Sequence, residues 1–160
     1  MPVFLEFRQR AAAYVLRRLP GRAEVEVLVM LHRDQPDAGV QVPGGGAHGH
    51  GHETIGEAAM REAREETGVE GLVFGEALGS KLMRVSDFAE EYQVTTYCWL
   101  RTEDPRDAWN HTVTSGDGDN GLRMHCEFRP AREAGIDWEM DGFLPHAVSR
   151  FASGTLPTAD

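Results

Sequence analysis

The chain reads as one α/β domain. Three observations point there. Its 160 residues fit a single domain by the usual size of about 100–200 residues. Stretches rich in β-branched and aromatic residues recur along it. One segment between them carries helix-start and helix-stop signals at both ends.

The elements follow in order. Ala11 to Leu19 is largely apolar and ends at Pro20-Gly21, a turn signal. Glu24 to His32 begins with charged and apolar residues in alternation, then runs apolar. The two read as a β-hairpin. Arg33 to Gly39 is a loop, and Val40 to Val42 is extended because Pro43 biases the residue before it away from helix. Gly44 to His52 is glycine-rich and flexible. Thr54-Ile55-Gly56-Glu57 has the form of a capping box, with Thr54 as N-cap. Ala58 to Thr67 has high helix propensity, and Gly68 suits the left-handed residue that ends a helix. Leu72 to Met83 and Tyr92 to Leu100 are strands, the second the stronger. Arg101 to Gly121 is a long polar loop, Leu122 to Phe128 a further strand, and Asp141 to Phe151 a C-terminal helix. Asp137 to Asp141 caps that helix. Tyr92, Tyr97 and Trp99 belong to the core or the sheet surface.

Composition narrows the function. With 26 acidic and 16 basic residues the net charge is −10, so long-range electrostatics disfavour nucleic-acid polymers and anionic membranes. No apolar run approaches the roughly 20 residues of a membrane helix. The N-terminus carries charge where a signal peptide would be apolar, so the expected location is cytoplasmic. Cys98 and Cys126 sit in apolar or aromatic stretches and read as buried free thiols. An acidic protein that handles an anionic substrate needs a cation between them.

The helix offers a place for one. Glu62, Glu65 and Glu66 stand at i, i+3 and i+4, on one face. Like charges at that spacing destabilise a helix, and these lie in its C-terminal half, where the macrodipole disfavours anions. A divalent cation reverses both penalties, and Mg²⁺ takes carboxylate oxygens, waters and substrate phosphates. Upstream, Pro43-Gly44-Gly45-Gly46 exposes backbone N–H groups with no side chains in the way.

These residues resemble the signature of the Nudix hydrolases, G-x5-E-x7-R-E-U-x-E-E-x-G-U with U aliphatic. Glu53, then Arg61-Glu62-Ala63-Arg64-Glu65-Glu66-Thr67-Gly68-Val69, fits from the first glutamate onward. Gly45 and Glu53 are separated by seven residues rather than five, and the extra length falls in His48-Gly49-His50-Gly51-His52.

The resemblance implies an α/β/α sandwich around a mixed central sheet, spanning residues 1–160 as a single domain. It implies Mg²⁺- or Mn²⁺-dependent hydrolysis of a pyrophosphate bond in a nucleoside diphosphate linked to another group. Glu62, Glu65 and Glu66 would ligate the metal. Arg61, Glu62 and Glu66 would be catalytic, with Arg61 orienting a motif glutamate. Glu53 would take an orienting or helix-dipole role, or ligate. The general base is left open among Glu62, Glu66 and the later-loop residues Glu90, Glu91 and Glu127. Gly44, Gly45 and Gly46 would shape the phosphate pocket. Trp109 and His111, in the long polar loop, are candidates for substrate contact. The partner is a small nucleotide, and a homodimer is the family's habit.

Two other readings stand beside this one. The first is a Nudix-fold nucleotide sensor with little or no hydrolysis. The second is a metal-handling protein built on the three loop histidines, since imidazole suits Zn, Ni and Cu. The Asp117/Asp119 pair looks like a fragment of a calcium loop without its remaining ligand.

Overall fold

The molecule is organised around one central strand, β1 (Glu6–Arg17), buried on both faces from Ala11 to Arg17. The computed structural model describes residues 6–48, 52–85, 91–115 and 118–154. Further strands are β2 (Glu26–His32), β3 (Gly44–Gly46), β4 (Val73–Arg84), β5 (Glu91–Arg101), β6 (Ala108–Thr112) and β7 (Arg123–Pro130). The helices are α1 (Ile55–Thr67) and α2 (Leu144–Ala152). Among the described residues no helix is long and apolar enough to cross a membrane.

The seven strands form one mixed sheet in the order β4-β5-β1-β2-β7-β6, with β3 paired to β1 off that path. β1 and β5 run parallel, while the other named pairs are antiparallel. The period of two along β1 divides the core. Ala11, Ala13 and Val15 join Ala58, Ala59 and Ala63 of α1 on one face. Ala12, Tyr14 and Leu16 join Leu144, Ala147 and Phe151 of α2 on the other. This is the α/β/α sandwich expected from the sequence. Cys98 and Cys126 are buried free thiols in the α1 layer, and burial pushes them up to about 11 and about 12.

The expected hairpin forms, but it does not stay closed. β1 and β2 are in register only at Leu16↔Val27 and Arg17↔Glu26. Beyond that the strands part, and residues 41–46 enter the gap. Gln41 bridges to Met30, the Ala13 N–H donates to the Pro43 carbonyl at 2.8 Å, and Gly44–Gly46 pair with Ala12–Arg10. The filling must be slim. A Cβ on Gly44 would lie 2.9 Å from the Ala11 carbonyl oxygen. The wedge therefore places the three glycines against the sheet, beside α1.

Residues 101–121 are not one loop. β6 lies within them, paired along β7 from Ala108↔Glu127 to Thr112↔Arg123. It is an edge strand with alternate residues exposed, and polar residues on such a face mask the strand pattern. Two register shifts interrupt β4, between Phe74 and Glu76 and between Ala77 and Gly79. Gly75 has a reason beyond the bulge: a Cβ there would come within 2.4 Å of the Trp99 ring.

Arg17 is fully buried at the end of β1. Its guanidinium bonds Glu26, Asp107 and the carbonyls of Asp104 and Arg106, and lies 3.8 Å from the Phe128 ring centroid. These partners offset the desolvation of a charge and fix the segment that leads into β6.

Candidate metal and phosphate site

α1 carries the site, and its ends are set by local chemistry. The Thr54 hydroxyl accepts from the Glu57 N–H at 3.1 Å, and the Glu57 carboxylate accepts from the Thr54 N–H at 3.3 Å. This completes the capping box, a feature worth about 1 kcal/mol. Gly68 ends the helix in the left-handed region at φ 68°. The small residues Ala58, Ala59 and Ala63 bring the helix close to the sheet. That orientation turns Glu62 and Glu66 inward, to 2% and 4% exposure.

A third carboxylate meets them from elsewhere in the chain. Glu62, Glu66 and Asp119 each offer an oxygen, and these atoms lie within 4.8 Å of one another. Asp119 arrives on the turn between β6 and β7. That turn is tied to α1 by the Thr114 N–H, which donates to the Glu65 carbonyl at 3.3 Å. The Ser115 hydroxyl donates to Asp119 at 2.5 Å. Sequence patterning did not single out Asp119 as part of this cluster, because no local period links it to the helix. Asp117, its partner in the calcium-loop comparison, lies outside the described residues.

Glu65 stands outside this triangle. Its side chain is more exposed and accepts from the Arg61 guanidinium at 3.3 Å. Arg61 is the hub of the remaining acids. It holds Glu53 through both oxygens, at 2.7 and 3.0 Å, reaches Glu62 at 2.9 Å, and donates to the Gly46 carbonyl at 2.8 Å. One guanidinium thus joins the helix, the glutamate before it and the glycine strand, using its planar fork. Glu53 also accepts from the His48 N–H at 3.0 Å. Held chiefly by Arg61, its carboxyl is pulled down to about 2. Of the loop histidines, His50 lies outside the described residues, and His52 has a positive φ of 59°.

Glu62 and Glu66 move the other way. Burial raises Glu62 against the opposing pull of Arg61. Burial, then the charge of Glu62, raises Glu66 well above the usual carboxylate range, although the Gly44 N–H donates to it at 3.1 Å. Two buried carboxylates side by side favour a shared proton or a cation.

The three glycines face this pair. A cleft of 680 Å³ is lined by Gly44, Gly45, Gly46, Glu62, Asp119 and Arg10, among others. Gly45 admits no side chain, since a Cβ there would lie 2.4 Å from the Glu62 carboxyl carbon. Gly45→Ala is therefore expected to displace Glu62 while leaving the fold intact. Turnover should fall about 10- to 100-fold, the scale of a misplacement near 1 Å, with far-UV circular dichroism unchanged.

Trp109 and His111 lie elsewhere. Both are on β6, and their polar atoms meet the end of α1. The Trp109 indole donates to the Thr67 carbonyl at 2.5 Å, and His111 Nε2 lies 3.0 Å from the Glu65 carbonyl. Arg106 bonds the Gly68 carbonyl at 3.0 Å and stacks 4.2 Å from the Trp109 ring. These groups satisfy carbonyls that the helix end leaves unpaired. Neither Trp109 nor His111 lines the cleft.

A mixed sheet lies between helices, and Glu62 of α1 opens onto a glycine-lined cleft. The sequence profile of the NUDIX domain matches residues 7–145. The chain belongs to the NUDIX family and shares its reaction class, hydrolysis of a phosphoric anhydride. No curated protein sequence matches significantly. Solved structures match over most of the chain. The Ap4A hydrolase of C. elegans is 18% identical, with 92% of this chain and 99% of that one covered and a TM-score of 0.62. The Nudix hydrolase RenU of M. smegmatis is 14% identical, with 95% and 91% covered and a TM-score of 0.63. The NUDIX domain of Shewanella oneidensis NrtR, in complex with ADP ribose, is 14% identical, with 92% and 90% covered and a TM-score of 0.61. At these identities the likeness is one of fold.

Proposed function

We propose that the protein hydrolyses the pyrophosphate bond of a nucleotide or nucleotide derivative, using Mg²⁺ or Mn²⁺ held by Glu62, Glu66 and Asp119. The observation that carries this reading is the meeting of three carboxylates within 4.8 Å, two of them buried, at the wall of a glycine-lined cleft. The donor set is all oxygen, as Mg²⁺ and Mn²⁺ prefer. Burial raises both carboxyls, and the charge of Glu62 raises Glu66 further, which supports a cation beside the ionised pair. Two solved neighbours, an Ap4A hydrolase and an ADP-ribose complex, support a nucleotide substrate.

When bound, the cation neutralises phosphate charge and lowers the pKa of water. The chain's own groups do the rest. Gly44–Gly46 let phosphate oxygens approach the backbone. Arg10 lines the same cleft, which puts its charge within reach of the substrate. Arg61 fixes Glu62 at the cleft wall, and the Gly44 N–H fixes Glu66 beside it, so the pair is held without further reorganisation. The proton of the attacking water passes to a carboxylate of this cluster. Two candidate bases are engaged elsewhere: Glu91 faces Arg8 at 3.8 Å, and Glu127 is held by Arg129 and His125. Glu90 lies outside the described residues.

The test is product release from nucleoside di- and triphosphates, nucleotide sugars, dinucleoside polyphosphates and NADH. Each is assayed with Mg²⁺, with Mn²⁺ and with chelator. Cleavage of one class that stops with chelator and in Glu62→Gln is the expected result. Nucleotide binding by calorimetry with no turnover of any compound would make the protein a sensor instead.

A further inference from the structure

A second cavity adjoins the cleft and shares Arg10, Gly44 and Gln93 with it. It measures 340 Å³, and its wall includes Gln41, Met83, Thr95 and Trp138. The character changes across the shared wall, from carboxylates and bare backbone to a thioether and an indole beside amide and hydroxyl groups.

Trp138 is the unusual member. It is 63% exposed, whereas Trp99 is 1% exposed and Trp109 is committed to α1. An exposed indole forgoes the burial that normally stabilises this side chain. It is nonetheless held firmly. Its N–H donates to the Ala38 carbonyl at 2.7 Å. Asp137 on one side exchanges hydrogen bonds with Val40, each at 2.9 Å. On the other side the Met140 carbonyl accepts from the Tyr14 hydroxyl at 2.5 Å. Trp138 and Glu139 both have positive φ, 60° and 57°, a conformation that residues with side chains adopt only where surroundings enforce it. Gly39 leaves the room: a Cβ there would meet Asp137 at 2.7 Å and the indole nitrogen at 3.1 Å. A rigid, presented aromatic face beside a largely apolar hollow with a few amide and hydroxyl groups is how proteins take a planar heteroaromatic group.

We propose that this cavity seats the base of a nucleoside diphosphate derivative, stacked on Trp138, with Arg10 and Gln93 at the passage to the phosphates. The proposal rests on the function given above and names the substrate's recognised end: the enzyme requires a nucleobase, and a bare pyrophosphate compound binds without using Trp138.

The probes are α,β-methylene-ADP and α,β-methylene-UDP, which resist cleavage, and methylenediphosphonate, which lacks a base. Each is titrated with Mg²⁺ into wild type, Trp138→Phe and Trp138→Ala. In wild type, at least one nucleotide probe should quench tryptophan fluorescence, and methylenediphosphonate should not. Trp138→Ala should weaken nucleotide binding about fivefold or more, the lower end of base–aromatic stacking. Its affinity for methylenediphosphonate should stay within about twofold, which also reports that the variant is folded. Trp138→Phe keeps a stacking face and should recover most of the loss. If the alanine variant does not fold, the wild-type quench and the phenylalanine variant decide. Equal quenching by the base-free probe, equal weakening of all probes, or nucleotide binding without quench would overturn the proposal. The two readings fail separately. Quench without turnover of any substrate defeats the hydrolase and leaves the base pocket. Turnover of a nucleotide with KM unchanged in Trp138→Ala defeats the pocket and leaves the hydrolase.

Discussion

Glu66→Gln should make the metal-free protein more stable and catalytically dead. Glu66 is 4% exposed, and burial together with Glu62 raises its pKa well above the usual range. A carboxyl raised in the folded state supports folding fully below its unfolded pKa, about 4.3, and loses that support as pH rises through the folded value. At pH 7–8, above the unfolded pKa, keeping this group buried therefore opposes folding. Glutamine removes the charge and can keep the bond from the Gly44 N–H. The expected gain is about 1–2 kcal/mol, a rise in Tm of about 2–8 °C for a domain of this size. The gain should shrink toward pH 4–5, where wild type carries the proton, and should reverse when Mn²⁺ is added, because only wild type is stabilised by the ion. Turnover should fall at least about 100-fold. Differential scanning fluorimetry across pH, with and without Mn²⁺, reads all of these. A lower metal-free Tm in the variant at pH 7.5 would contradict the account.

Arg61→Ala should do the opposite and lose both stability and activity. Removing the guanidinium strands Glu53, Glu62 and Glu65 together and leaves the Gly46 carbonyl without its donor. Breaking a buried ion pair costs about 3–5 kcal/mol, and the residual exposure of Arg61 brings the expectation to about 2–3 kcal/mol. Arg61→Lys keeps the charge but not the two-pronged contact with Glu53, so it should recover less than half of the loss. The acid limb supplies a separate reading. Glu53 is depressed to about 2, so its contribution is present above its unfolded pKa and fades as pH falls toward 2. Chemical denaturation at stepped pH should show that limb in wild type and a flatter one in Arg61→Ala.

The contrast between the two variants follows what could and could not be read from the sequence. α1 was legible because its determinants are local: Thr54 and Glu57 cap one end, Gly68 the other. Helical spacing also put Glu62, Glu65 and Glu66 on one side. It did not say which carboxylates turn inward. That was decided by the alanines packed on the sheet, which bury Glu62 and Glu66 and leave Glu65 against Arg61. Asp119 reaches the cluster through a turn anchored to the helix by Thr114, a tertiary link with no sequence period. β6 reads as loop in the sequence because an edge strand with polar residues outward has no apolar alternation. In a loop Trp109 and His111 would be free for substrate, whereas as strand residues they meet carbonyls at the end of α1. The parting of β1 and β2 around residues 41–46 was equally hidden. A Pro-Gly turn signals that a hairpin starts, not how far its pairing runs.

On the proposed reading, Glu62, Glu66 and Asp119 hold the divalent ion on which hydrolysis depends. Its most direct test is calorimetric titration of Mn²⁺ into wild type, Glu66→Gln and Asp119→Asn. Saturable binding to wild type is expected, with at least a roughly tenfold weaker affinity in each variant, the scale of losing a group at a metal site. Equal Mn²⁺ affinity in all three proteins would contradict it.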